Sequence, residues 1–462
     1  MKSKIIKYDG MKRQREGEGE GEGEDEKSAK RRREEGEGEG EGEGEGEDEK
    51  SAKRRREEEK EGLIINNGIL ENVNKNVTSI NIPDSVIIIG AYAFRECISL
   101  TTVTFTGESK LIDIEEFAFD GCRSLNKINI PDNVTTIGHY AFIGCEALTT
   151  VIFTVKSKLT TIGEGAFRDC RALNTINIPE SVTTIEEGVF DICIALTTVT
   201  FTGKSKLTTI EKLAFRGCVA LNTINIPDSV ITIGLGAFRE CRALNTVTFT
   251  GESKLTTIGE HDFDGCIALT TITIPENVTT IGAGAFDGCI ALTTLTFTGE
   301  SKLTDIGEGA FKDCIALNTI NIPESVTTIG DDAFRECISL TTVTFTGESK
   351  LTTIGENAFQ ECRALIEINI PENVTTIGGG AFDGCIALTT VTFTGESKLT
   401  DIREYTFDGC IALNTITIPE NVTTIGKGAF NVCEALNRIN IPDNVTTIGE
   451  GAFNVCEALK VN

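Results

Sequence analysis

The sequence is poor in several residue types that catalytic and membrane proteins need. It has no tryptophan, two methionines and two histidines in 462 residues. No apolar run reaches the length of about 18 residues that a membrane-spanning helix requires, and the N-terminus lacks the apolar core of a signal peptide. His139 and His261 have no serine or cysteine beside them in the setting of a nucleophile. We therefore expect no enzyme activity, no cofactor, no membrane insertion and no standard export.

Positive charge is also in short supply. The chain has 43 Lys and Arg against 70 Asp and Glu, which gives a net charge of −27. Nucleic acids and anionic membranes attract proteins through positive surfaces, so this balance argues against both as partners. It favours a protein partner whose surface is basic or neutral.

The first 62 residues differ in composition from the rest. They consist largely of Glu-Gly dipeptides and two basic clusters. Such a segment buries too little apolar surface to offset chain entropy, so we predict a disordered tail over residues 1–62. The clusters fit two interpretations, short nuclear-import signals or the solvated charges of a linker. Their residues are Lys30, Arg31, Arg32, Arg33, Lys53, Arg54, Arg55 and Arg56.

The remaining chain, residues 63–462, is built from internal repeats. A Phe-x-x-Cys pair occurs sixteen times and accounts for all 16 cysteines. Successive cysteines are alternately 25 and 23 residues apart, except that the last interval repeats 23. The repeating unit is therefore a 48-residue pair of unlike coils, and we predict one solenoid domain.

One coil can be followed in "LNTINIPESVTTIEEGVFDICIAL", residues 173–196. Ile176 and Ile178 alternate with polar residues as in a half-buried strand, and Pro179 ends that strand. Ile185 lies in a second short strand, and the apolar residues from 189 to 196 recur at helix-like spacing. Because one coil buries too little to be stable alone, the coils must stack. We predict an α/β solenoid of about sixteen coils, with a parallel β ladder and short helical turns.

The repeated pattern "L-x-x-I-x-I-P-x-x-V-x-x-I-G-x-x-A-F-x-x-C-x-x-L" resembles the BspA-like class of leucine-rich repeats. The resemblance implies a binding scaffold, often an adhesin, of the kind used on bacterial and protist surfaces and encoded by some large DNA viruses. This chain lacks the signal peptide of the exported members. We therefore expect a cytoplasmic location, or a nuclear one if the basic clusters act in import.

The sixteen cysteines have three interpretations. None lies closer than 23 residues to the next, so the short spacings of metal-ligand motifs are missing. Stacked positions about 4.8 Å apart would permit disulfides, but thiols of a protein that is not exported are expected to stay reduced. We predict a column of buried free thiols beside a parallel column of stacked phenylalanines.

Two surfaces are candidates for binding. In the 25-residue coils "TFTGESKL" replaces "INIPENV", which predicts protruding loops that begin at Thr106, Thr154, Thr202, Thr250, Thr298, Thr346 and Thr394. The outward positions of the main strand carry Thr-x-Thr pairs, and the candidate partner-binding residues are Thr102, Thr104, Thr198, Thr200, Thr246, Thr248, Thr294, Thr296, Thr342, Thr344, Thr390 and Thr392.

These surfaces favour a non-catalytic protein–protein interaction scaffold. The alternative is an adhesin-like or structural repeat protein, because the threonine array also resembles the ice-binding face of solenoid antifreeze proteins. A plainer interpretation remains open for each feature, since threonine is a common solvent-facing strand residue and loop tips tolerate insertions.

The two ends of the array differ. Residues 63–77, "LIINNGILENVNKNV", depart from the repeat and are predicted to cap the first coil. No comparable segment follows Cys456, so the apolar face of the last coil is predicted to be uncovered. Bare strand edges and stacking faces recruit other chains. We therefore expect end-to-end self-association through the C-terminal coil.

Overall fold

The structure is a computed structural model that describes residues 62–459. Both basic clusters and all but one residue of the predicted disordered tail lie outside the described residues. The described part is a solenoid of stacked coils. Its first element is a β-hairpin of β1 (Leu63–Asn66) and β2 (Ile69–Val73).

The hairpin turns through Asn67 and Gly68, whose φ angles of 51° and 82° are both positive. An Asn-Gly pair in this conformation matches the right-handed twist of the two strands that it joins. Strand β2 then pairs in parallel with the first coil, Leu70 opposite Ile89. The segment predicted to cap the array is thus a hairpin that begins one of its sheets.

Each following coil contributes two strands to the solenoid. The first is odd-numbered and usually has four residues: β3 (Ser79–Ile82), β5 (Thr102–Phe105), β7 (Lys127–Asn129), β9 (Thr150–Ile152), β11 (Thr175–Ile178), β13 (Thr198–Phe201), β15 (Thr223–Ile226), β17 (Thr246–Phe249), β19 (Thr271–Ile274), β21 (Thr294–Phe297), β23 (Thr319–Ile322), β25 (Thr342–Phe345), β27 (Glu367–Ile370), β29 (Thr390–Phe393), β31 (Thr415–Thr417) and β33 (Arg438–Asn440).

The second strand is even-numbered and has two residues: β4 (Ile88–Ile89), β6 (Asp113–Ile114), β8 (Thr136–Ile137), β10 (Thr161–Ile162), β12 (Thr184–Ile185), β14 (Thr209–Ile210), β16 (Thr232–Ile233), β18 (Thr257–Ile258), β20 (Thr280–Ile281), β22 (Asp305–Ile306), β24 (Thr328–Ile329), β26 (Thr353–Ile354), β28 (Thr376–Ile377), β30 (Asp401–Ile402), β32 (Thr424–Ile425) and β34 (Thr447–Ile448).

Stacking joins like strands of successive coils. The odd-numbered strands form a ten-stranded sheet from β3 to β21 and a six-stranded sheet from β23 to β33. The even-numbered strands and the hairpin form a fifteen-stranded sheet, and β30, β32 and β34 form a three-stranded one. Coil neighbours pair in parallel, as in Thr161 opposite Thr184. The predicted parallel ladder is confirmed.

The predicted helical turns are wrong, because residues 62–459 contain no helix. In the coil that contains Phe190, the N–H groups of Gly188, Phe190 and Ile192 donate to carbonyls of the next coil at 2.8–3.0 Å. The N–H groups of Asp191 and Cys193 donate to carbonyls three residues earlier. The segment is therefore a chain of tight turns whose alternate amides form a third ladder between coils.

Backbone conformation explains why no helix forms there. Every coil has a positive φ two residues before and two residues after the phenylalanine of its Phe-x-x-Cys pair. Such left-handed positions interrupt a right-handed helix and usually carry glycine. Several coils instead place other residues there, including the β-branched Ile192 and Val432 with φ of 61° and 55°.

The core consists of columns that run through the stack. Rings of the Phe-x-x-Cys phenylalanines in neighbouring coils have centroids 4.5–5.7 Å apart and planes within 14° of parallel. Stacked rings at these distances stabilise the column beyond the burial of their apolar surface. The predicted phenylalanine column is confirmed. Isoleucines, leucines and valines of both strand series fill the space around it.

Candidate functional site

The twelve predicted threonines lie together on the outer surface of the odd-numbered strands, which we name the threonine face. Ten of them are exposed, and Thr342 and Thr390 are half-buried. They alternate with buried residues such as Val343, whose side chain points into the core and is 5% exposed. The alternation of strand side chains thus places the threonines on the outer surface, where the sequence predicted.

Hydrogen bonds link the threonines to the preceding coil. The Thr392 hydroxyl donates to Asn369 Oδ1 at 2.8 Å, and the Thr104 hydroxyl donates to Asn81 Oδ1 at 3.1 Å. Thr344 donates in the same way to Asn321. Each 25-residue coil is therefore joined to the 23-residue coil before it across the threonine face.

The next junction along the array is open. Strand β25 pairs with β23 over four residues, from Thr319 opposite Thr342 to Ile322 opposite Phe345. It pairs with the following strand β27 only at Thr342 opposite Glu367. The same alternation holds for β17, which pairs four residues with β15 and one with β19. The threonine face is thus a series of closed strand pairs separated by openings.

A cleft lies at each of the last four openings. Each contains a half-buried phenylalanine at the end of an odd-numbered strand, and we name the clefts after Phe249, Phe297, Phe345 and Phe393. In that order their volumes are about 590, 980, 930 and 640 Å³. One wall is the TGESK loop, and the other is the Pro-Glu turn of the next coil. The site therefore recurs once per 48-residue unit.

The TGESK loops are held firmly by the preceding coil. In the loop at 298–302, the N–H of Thr298 donates to the Ile274 carbonyl at 3.0 Å. The Lys302 ammonium donates to Asn277 Oδ1 at 2.7 Å, and Ser301 Oγ accepts the N–H of the residue two positions on at 3.3 Å. The side chains of Thr298, Glu300 and Lys302 are exposed, and Ser301 is half-buried. The predicted loops are present at every second coil, and most of their polar groups are already bonded.

The clefts carry excess negative charge. The Phe297 cleft has three glutamates against two lysines, and the Phe345 cleft has three glutamates against Lys350. The other two clefts have two glutamates each and no lysine. Within residues 62–459, none of these glutamates forms an ion pair. Each cleft therefore presents free carboxylates beside an aromatic ring.

The cysteines form a regular column remote from this face. Fifteen of the sixteen are buried and Cys456 is half-buried. Each thiol after Cys97 donates to the carbonyl of the phenylalanine in the preceding coil, as Cys289 Sγ does to Phe263 O at 3.2 Å. Burial raises the pKa of Cys170 well above its ordinary value, which keeps the sulfur protonated. The column thus has a packing role, and the predicted burial is confirmed.

The two histidines lie apart from each other at the coil edge. His139 Nδ1 accepts the N–H of Glu164 at 3.0 Å, and His261 faces Glu260 and Asp264 at 3.6–3.8 Å. In the part of the chain that the structure describes, no group of three or more His, Cys, Asp and Glu side chains is placed to hold a metal ion. The same residues include no helix long and apolar enough to cross a membrane.

These coils and columns define a leucine-rich-repeat solenoid. The family model of the BspA type leucine rich repeat region matches six overlapping segments, residues 64–197, 152–255, 183–302, 248–362, 299–398 and 337–460. The chain therefore belongs to the BspA-type leucine-rich repeat family, as the sequence pattern indicated.

A solved structure with a TM-score above 0.5 gives the same result for the fold. A leucine-rich repeat protein from Bacteroides ovatus is 27% identical, with a TM-score of 0.63 over 83% of this chain and 94% of that one. A leucine rich cell surface protein from Faecalibacterium prausnitzii is 30% identical, with a TM-score of 0.41 over 86% of this chain and 91% of that one. No curated protein matches the chain.

Proposed function

We propose that the chain is a non-catalytic scaffold that binds another protein through the threonine face and the TGESK loops. The row of four clefts is the observation that carries this proposal. Each combines an apolar ring with uncompensated carboxylates, and loops bonded to the preceding coil keep its walls in place. A preformed surface of this kind loses little conformational entropy when a partner binds.

Site-specific photo-crosslinking in the native cell tests the proposal. A photoreactive residue replaces Thr344 on the threonine face in one variant and Glu356, on the coil edge, in a matched control. We expect Thr344 to crosslink one recurrent protein and Glu356 to crosslink none at comparable yield. Crosslinking from Glu356 alone would place the interaction elsewhere and contradict the proposal.

The acidic surface supports a basic or neutral partner. Each cleft contains more glutamates than lysines, so most of the carboxylate charge is not neutralised within the cleft. A cationic surface therefore gains favourable contacts along the whole row. An acidic partner such as nucleic acid would be repelled. The crosslinked protein should accordingly be basic or neutral in net charge.

An ice-binding surface is the weaker candidate. A flat, uninterrupted array of free hydroxyls would favour it, but Thr104, Thr248, Thr344 and Thr392 donate to asparagines of the preceding coil. The sheet also opens between β25 and β27, which pair at one position only. We expect the purified protein to show no thermal hysteresis. A measurable hysteresis would favour this candidate over the scaffold.

The buried thiol column supports a reducing compartment, cytoplasmic or nuclear.

We also propose end-to-end association through the last coil. Its support is the exposure of Ile448, 52% exposed, whereas Ile425 at the same position one coil earlier is fully buried. We expect sedimentation velocity to show concentration-dependent association that a polar capping segment abolishes; a monomer at every concentration would contradict it.

A further inference from the structure

We propose that a row of exposed isoleucines outside the threonine face binds an amphipathic α-helix of another protein, which lies along the stack of coils. The row is the residue after the cysteine of the Phe-x-x-Cys pair in four successive coils. We name it the isoleucine ridge, and its members are Ile267, Ile290, Ile315 and Ile338. This inference does not depend on the proposed function, because it concerns a different surface.

The side chains of the isoleucine ridge are exposed although they are apolar. Each is 38–42% exposed. The fold does not require an apolar residue at this position, because Arg242 and Arg363 occupy it in the coils on either side of the ridge. Single exposed apolar residues are common on protein surfaces, but a contiguous strip of them is typical of an interaction site.

The coils stay together at the isoleucine ridge, whereas they diverge at the clefts. Two residues before each isoleucine, the backbone N–H donates to a carbonyl of the next coil at 2.7–2.9 Å; the pairs are Gly265 with Asp287, Gly288 with Lys312, Asp313 with Arg335 and Glu336 with Gln360. The phenylalanine rings of the four coils, four residues before the isoleucines, have centroids 5.2–5.3 Å apart and planes within 8° of parallel. The isoleucines therefore form one continuous row.

The distance between these coils selects a helix as the ligand. One turn of α-helix advances about 5.4 Å, so an apolar stripe with about one side chain per turn drifts by less than about 1 Å over three coils. Side chains on one side of an extended strand recur about every 6.6 Å and drift by about 4 Å over the same distance. A helix can thus meet every isoleucine of the ridge, and a strand cannot.

Small side chains beside the isoleucine ridge let a helix approach closely. The next residue of each coil is half-buried, and these residues are Ala268, Ala291, Ala316 and Ser339. Apolar side chains of a helix can therefore pack over them and against the isoleucines, as the ridges of one surface fit the grooves of another.

A second copy of the chain is a less favourable occupant. Side-by-side packing along the ridge would bring together, over several coils, two chains that each have a net charge of −27. Self-repulsion of this kind opposes association. A helix whose polar face is neutral or basic meets no such repulsion.

Three labelled 18-residue peptides of zero net charge test the inference against the full chain. The first is a helix former with leucine at every third or fourth position, which gives an apolar stripe. The second has the same composition with its leucines spread around the helix, and the third has the stripe and a central proline that breaks the helix. In fluorescence anisotropy, we expect the striped peptide to bind about ten-fold more tightly than either of the others. Equal affinity of any other peptide, or no binding of the striped one, would overturn the inference.

Paired substitutions locate the bound helix. Ile290→Arg with Ile315→Arg introduces the residue that the chain itself carries at this position as Arg242, so the fold should be retained. The matched control is Ile98→Arg with Ile194→Arg, at the same position of coils outside the ridge. The ridge pair should weaken binding of the striped peptide about ten-fold, whereas the control pair should change it less than about two-fold. Equal losses would contradict the assignment of the site.

Sedimentation velocity with the same variants tests the second copy as the occupant. We expect the ridge pair to leave any self-association of the chain unchanged. If the ridge pair abolishes self-association and the control pair does not, a second copy occupies the ridge and the inference is wrong.

Discussion

Replacing Asp262 by alanine should stabilise the protein, and more strongly as pH rises. The residue before the Phe-x-x-Cys phenylalanine is alanine in 13 of the 16 coils, but here it is a fully buried aspartate. Its Oδ2 accepts the N–H of Gly259 at 2.5 Å. In the next coil the corresponding N–H, of Gly282, donates to Ile258 at 2.9 Å. Accordingly β16 and β18 pair at only one position, Thr232 opposite Thr257.

The size of the effect follows from the pKa. Burial raises the pKa of Asp262 from an ordinary value of 3.8 to about 8, against the opposing bonds from Gly259 and Ala237. Below pH 3.8 the carboxyl is protonated in both folded and unfolded chains. Between pH 4 and 8 the Asp262 carboxyl ionises only in the unfolded chain. The free energy of unfolding of the wild type therefore falls by about 1.4 kcal/mol per pH unit relative to a variant without this carboxyl. At pH 8 the accumulated loss of wild-type stability relative to that variant is on the order of 5 kcal/mol.

Urea unfolding followed by circular dichroism at pH 4, 6 and 8 measures this difference. We expect Asp262→Ala to be close to wild type at pH 4 and to have a clearly higher midpoint at pH 8. Glu260→Ala is the control, because that side chain in the same coil is 54% exposed. It should follow wild type at every pH. Parallel pH profiles for wild type and Asp262→Ala, or a destabilised variant at pH 8, would refute the reasoning.

Three further predictions concern the core. Cys456 is half-buried, whereas the other fifteen cysteines are buried, so a disulfide reagent at pH 8 should modify Cys456 first in the native protein. After denaturation without reductant it should modify all sixteen thiols, and a lower final count would reveal disulfides. Gly288→Ala should cost about 1 kcal/mol in urea unfolding, because φ is 68° but no atom lies within 3.8 Å of the new Cβ. Gly355→Ala should cost more, since its Cβ would lie 2.4 Å from the Gly330 carbonyl carbon, and equal costs would contradict this distinction. Phe286→Ala should cost about 3–5 kcal/mol by removing one ring from the stack, and a loss below about 1 kcal/mol would show that the neighbouring rings close the gap.

Regular features of the fold were predictable because they recur in every coil. The alternation of Ile176 and Ile178 identifies the strand, and Pro179 ends it as predicted. The identical spacing of phenylalanine and cysteine predicts columns, since like positions stack in a solenoid. These inferences need only the periodicity of the side chains, which is visible in the sequence.

The turn segment and the clefts were not predictable in the same way. Apolar residues three or four apart occupy one face of a helix, but they also line a chain of tight turns whose amides bond to the next coil. The left-handed conformations at Ile192 and Val432 oppose the preference of β-branched residues, so composition gives no sign of them. The clefts arise where β25 diverges from β27, and that divergence depends on contacts between coils.

Because closed and open junctions alternate, the number of openings between strand pairs depends directly on the number of 48-residue units in the array. Removing residues 275–322, one 48-residue unit, joins Ile274 to Pro323 and recreates the Ile-Pro junction found in other coils. The shortened array loses one cleft and keeps its remaining ones in phase. Unequal recombination between such similar repeats would therefore change the number of clefts by one for each 48-residue unit gained or lost. The avidity of a ligand that spans several clefts would then change in discrete steps.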